Sequence, residues 1–138
     1  MRSFDQIEAR IDALASPSDP AAAAGELMEL GEEILEHWLA GRGETPTVAD
    51  REGFRLLALH RQGCKGEPSF NACRETCREL TYHYNLITMD PEHDETEHRL
   101  QMAALVAKHL CYFVSGKMQE AKLGEFCCSS RELRANGA

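Results

Sequence analysis

Apolar residues recur along this chain at helical spacing. Phe4, Ile7, Ile11 and Leu14 fall on one side of a helix that the capping-box pattern Ser3-Phe4-Asp5-Gln6 opens and that runs to about Ala15. Ser16-Pro17-Ser18 stops it, and Asp19-Pro20 supplies an N-cap and a first-turn proline for a second helix. There Leu27, Leu30, Ile34 and Trp38 form one stripe, with Met28, Leu35 and Leu39 beside it, and Gly41 and Gly43 end the run.

The spacing predicts three more helices. Thr47-Val48-Ala49-Asp50 caps a third, with Phe54, Leu57 and Ala58 inward and an end near Gly63. A fourth runs from about Ser69 to Ile87. Asp90-Pro91-Glu92 repeats the cap-plus-proline start and opens a long fifth helix to about Leu123, whose middle is apolar nearly all round, as a central buried element would be. No period-2 strand of useful length interrupts this pattern. Short connections favour an antiparallel all-α bundle of about five helices with a long central C-terminal helix. One domain over residues 1–128 and a short tail over 129–138 are expected.

Composition narrows the function. At 138 residues the chain suits one domain with one core. A net charge of −8 argues against nucleic acid as the main partner and against docking on anionic lipid. Met1 to Asp5 lead straight into charged, helix-like sequence without a signal-peptide pattern. The most apolar stretch, Met102 to Val114, is broken by Lys108 and His109 and is too short to span a bilayer. A cytoplasmic location with no membrane partner is the expectation, and another protein, or a second copy in a homodimer, is the expected partner.

Six cysteines, at 64, 73, 77, 111, 127 and 128, are many for such a chain, and reduced thiols are the expectation. Cys73 and Cys77 lie one turn apart on a helix, so two thiolates can face one soft metal ion. Cys64 from the preceding loop and Cys111 from the fifth helix complete a candidate set for zinc, copper or an iron–sulfur cluster. Packing accounts for the same residues: Cys73, Cys77, Leu80 and Tyr84 follow one core stripe, and Cys111 falls with Leu100, Ala104, Ala107, Val114 and Met118. Leu80 stands where a radical S-adenosylmethionine cluster needs its third cysteine. Cys127-Cys128 is a vicinal pair open to a strained disulfide or a bundle edge.

The histidines offer less. Glu95-Thr-Glu-His98 is a single Glu-x-x-His, whereas a ferritin-like di-iron site needs the motif from two helices. Its position in a charged first turn reads more simply as a solvated helix start. Glu33/His37, Glu79/His83 and Asp94/His98 are i, i+4 pairs, most simply surface ion pairs that shift a histidine pKa upward. His98 and His109 share a stripe with Met102 and Leu105, but about 16 Å of helix separates them, too far for a shared ion. A phosphate-cradling glycine loop, a Gly-x-Ser-x-Gly elbow and a His-Glu-x-x-His are all absent from the sequence.

Tyr82, His83, Tyr84 and Asn85 stand in a row and can supply several hydrogen-bonding groups at one helix end, as a cofactor pocket or partner surface requires. The leading expectation is a non-enzymatic accessory or regulatory bundle that binds a metal or senses redox through its helix cysteines. Two alternatives stand beside it. One is an interaction adaptor with inert buried cysteines; the other is a small enzyme with a pocket of Cys77, His83 and Tyr84.

Overall fold

Five helices and no strand form among the described residues, 1–16, 19–66 and 74–123 of the computed structural model. They are α1 (Phe4–Ala13), α2 (Pro20–Gly41), α3 (Arg55–Cys64), α4 (Arg74–Met89) and α5 (Thr96–Glu120). The chain is an all-α bundle.

The first two helices begin where the sequence signals place them. The Ser3 hydroxyl accepts from the Gln6 amide while the Gln6 side chain accepts from the Ser3 amide, closing the capping box. Asp19 accepts from the Ala22 amide at 3.1 Å, with Pro20 in the first turn. Each cap satisfies amides that have no partner inside a helix, an arrangement that stabilises by about 1 kcal/mol.

The next starts come later than expected. Residues 47–50 cap nothing: the Thr47 hydroxyl accepts from the Ala49 amide, and α3 waits until Arg55. Between them Arg51 and Phe54 exchange two backbone hydrogen bonds across Glu52 and Gly53, both at positive φ (55° and 86°). That left-handed pair makes a tight turn and cannot continue into a right-handed helix. Likewise Asp90-Pro91-Glu92 does not open α5. Successive turns bind the His93 amide to the Asp90 carbonyl and the Thr96 amide to the His93 carbonyl, and the His93 ring accepts from the Glu95 amide. The beginning of the expected fourth helix, residues 69–73, lies outside the described residues, as does the 129–138 tail.

Helices α1, α2 and α5 meet along the expected stripes, whereas α3 buries Leu56, Leu57, Leu59 and His60 and leaves Phe54 and Ala58, expected inward, only half-buried. Ile7, Ile11, Leu27, Leu30, Ile34, Trp38 and Leu80 are all sealed in one core with Leu100, Ala104, Ala107, Val114 and Met118. Full burial of a Leu or Ile side chain contributes about 1.5–3 kcal/mol. The long α5 packs on α1, α2 and α4, and α2 shares the centre because it touches all four other helices. Gly31 makes that possible. A Cβ built there would stand 2.9 Å from Leu80 Cδ2 and 3.2 Å from Leu56 Cδ1, so α3 and α4 reach α2 through the space a side chain would fill.

Candidate functional site

Burial separates the candidate cysteines. Cys77 has no exposed surface and belongs to the core. Cys111 is 2% exposed, its thiol faces the Phe4 carbonyl across the α1–α5 contact, and burial, with Glu8 and Asp5 nearby, pushes it up to about 12. A thiol so hard to ionise is neither a nucleophile nor a ready metal ligand at neutral pH. Cys64 is half-buried at the last position of α3. Cys73, Cys127 and Cys128 lie outside the described residues. Among the described residues no three of His, Cys, Asp and Glu gather as metal ligands, so Cys64, Cys77 and Cys111 do not form a set by themselves.

The Tyr82–Asn85 row is dispersed by the helix that carries it, because successive residues turn by about 100°. Tyr82 and Asn85 are exposed, Tyr84 packs edge-on against Phe54 with ring centroids 5.8 Å apart, and His83 is half-buried. The pocket imagined from Cys77, His83 and Tyr84 has its cysteine closed in the core. The rise expected for His83 from its pairing with Glu79 is reversed: burial outweighs Glu79 and, with His98 and Arg99 adding to the shift, holds His83 below its ordinary value. His98 itself is exposed at the start of α5, among the exposed residues Asp94, Glu95 and Glu97.

What the fold does assemble is a cavity of about 360 Å³ between α3, α4 and the 51–54 turn. Arg51, Leu57, His60, Arg61, Cys64, Arg74 and Arg78 line it. Helical spacing does most of the placing. His60 and Cys64 are one turn apart on α3, and Arg74 and Arg78 are one turn apart on α4. The Cys64 Sγ donates to the His60 carbonyl at 3.1 Å and lies 3.6 Å from the ring Nδ1.

The end of α3 is pinned from below. The Gly63 carbonyl accepts from Trp38 Nε1 at 3.3 Å and from Arg42 Nη1 at 2.9 Å, and the Arg42 guanidinium lies over the Trp38 ring. The residue before the thiol is thus tied to α2 by two donors. Above, the Arg78 guanidinium grips both oxygens of Glu52 at 2.8 and 3.3 Å, which holds that carboxyl below its usual range. Arg51 is a second, looser partner of Glu52 at 3.9 Å.

His60 is 7% exposed. Burial first, then the positive charges of Arg74 and Arg78, keep its imidazole below the ordinary value and neutral at pH 7. Sequence reading missed this histidine and all four arginines. The signals were there in His60-x-x-x-Cys64 and Arg74-x-x-x-Arg78, but only the α3–α4 packing brings the two pairs to one cavity. The opposite charge lies elsewhere: Glu32 and Glu36 on α2 are answered by Arg55 at 3.3 and 2.9 Å.

Compared with known proteins, the chain matches no family model, and no curated protein or solved structure is significantly similar to it.

Proposed function

We propose that the protein is a non-enzymatic accessory or regulatory bundle that senses redox state through a thiol, and that the sensing thiol is Cys64. One observation carries the reading: Cys64 Sγ opens on an arginine-lined cavity with a neutral imidazole nitrogen 3.6 Å away. Reactive cysteines sit in partly exposed, electropositive surroundings, whereas buried ones are inert. Of the three described cysteines, Cys64 alone meets that condition.

The chemistry follows from the neighbours. His60 Nδ1, unprotonated in one tautomer, accepts the thiol proton. With a peroxide as oxidant, the sulfur attacks one oxygen, the S–O bond forms as the O–O bond breaks, and the departing hydroxide takes that proton to leave as water. The product is a sulfenic acid, which a second thiol can reduce again. The four guanidinium groups favour any anionic form of the oxidised sulfur.

The test is peptide mapping after brief treatment of the native, reduced protein with iodoacetamide, before and after exposure to hydrogen peroxide. Cys64 should label well ahead of Cys77 and Cys111, and peroxide should block it in a way that a thiol reductant reverses. Labelling of Cys64 no faster than of the two core cysteines would overturn the assignment.

A further inference from the structure

The α3–α4 cavity has a second property that does not depend on its thiol. Four of the chain's 15 lysines and arginines line this one space, in a protein of net charge −8. No Asp or Glu stands among the described residues of its lining. Glu52 meets Arg78 and, at longer range, Arg51. Neither Arg61 nor Arg74 forms an ion pair with a described residue. Among the described residues two carboxylates, Glu52 and Glu75, act on these four arginines, so positive charge is in excess at this corner.

Such a cluster is selective. Guanidinium forks match tetrahedral and planar oxyanions with two parallel hydrogen bonds each, which a lysine cannot do. The space is at the small end of ligand pockets, enough for one compact molecule and its polar head. Leu57 adds an apolar wall to an otherwise polar lining.

We propose that this cavity is a binding site for a phosphate dianion, free or carried on a small organic body, held by Arg51, Arg61 and Arg74 with Arg78 fixed by Glu52. The three arginines on different elements supply donors from different directions: Arg51 from the 51–54 turn, Arg61 from α3 and Arg74 from α4. A dianion bound there ties α3 to α4 and so stabilises the bundle in proportion to its concentration over its dissociation constant. An organic body, where there is one, lies toward Leu57.

Calorimetric titration of the full chain with inorganic phosphate and with glycerol phosphate, at ionic strength matched with sodium chloride, tests the site. Arg61→Gln and Arg74→Gln replace exposed side chains, and circular dichroism checks that the helices persist. Saturable binding of either probe is expected, weakened about tenfold or more in each variant and unchanged in Arg99→Gln on α5. Tighter binding of the ester than of free phosphate would assign the natural ligand to an organic phosphate, and equal binding would assign it to the ion; both support the site. No saturable heat above the chloride control, or equal binding by wild type and the two pocket variants, would overturn it. The titration reads the arginines and the alkylation experiment reads the thiol, so failure of the thiol reading and failure of the phosphate site give different results.

Discussion

Cys64 Sγ and His60 Nδ1 stand 3.6 Å apart along one turn of α3, and the same sulfur donates to the His60 carbonyl at 3.1 Å. The thiol proton therefore has two acceptors, one a carbonyl that cannot take it and one a ring nitrogen that can. If the ring is the base, His60→Gln should slow carbamidomethylation of Cys64 at neutral pH by about a hundredfold, the lower end of the range of general-base effects. The rate of the variant should then recover at higher pH, where hydroxide takes over the role of the missing base. An unchanged rate in His60→Gln would remove the histidine from the chemistry and leave the carbonyl contact as a packing detail.

Two half-to-fully covered histidines give the fold a pH dependence of definite sign. His60 and His83 are both held below 6.5, each mainly by burial. As pH falls through about 6.5 the unfolded chain takes up protons that the folded chain does not. Stability is complete above that value, declines as pH drops below it, and stops declining from this source once pH passes beneath the depressed folded values. Urea denaturation at pH 7.5, 6 and 5 should show a falling midpoint, with a smaller fall in the double variant His60→Gln/His83→Gln. An identical fall in that variant would assign the slope to other groups.

These residues also mark how far the sequence could be read. Apolar periodicity located the core stripes of α1, α2 and α5, because a side chain at i, i+3 or i+4 must share a face whatever the fold. The caps at Ser3 and Asp19 were legible for the same local reason. The α3 and α5 starts were not, since Glu52 in a left-handed conformation and the His93 ring accepting from a backbone amide carry no periodic signal. Cysteine spacing drew attention to α4, where Cys77 proved to be core. The cavity residues lie on three separate segments, and only the packing of α3 on α4 joins Arg51, His60, Cys64 and Arg74.

The N-terminal caps can be removed singly. Ser3→Ala deletes the acceptor for the Gln6 amide, and Asp19→Ala deletes that for Ala22. Each change should lower stability by about 1 kcal/mol. For a chain of this size that is about 3–6 °C in Tm. Ser3→Asp, which keeps an acceptor and adds negative charge at the helix start, should restore most of the loss. A Tm equal to wild type in both alanine variants would mean that solvent satisfies these amides as well as the side chains do.

Two glycines of α2 predict opposite outcomes for the same substitution. At Gly25 a methyl group would meet nothing within 4 Å, whereas at Gly31 it would stand 2.9 Å from Leu80 and 3.2 Å from Leu56. Replacing a helical glycine by alanine gains about 1 kcal/mol from backbone entropy alone. Gly25→Ala should therefore raise stability by about that amount. At Gly31 the gain is opposed by overpacking, which costs about 1–3 kcal/mol in a filled core. Leu80 is 1% exposed and Leu56 fully enclosed, so neither side chain has open space to retreat into. Gly31→Ala should leave the protein level or less stable by up to about 2 kcal/mol, and Gly31→Val, branched at Cβ, should lose more. Thermal melts of the three variants decide the matter: a rise in Gly31→Ala equal to that in Gly25→Ala would show that α3 and α4 can back away from α2, and that the close approach at Gly31 is not what holds them.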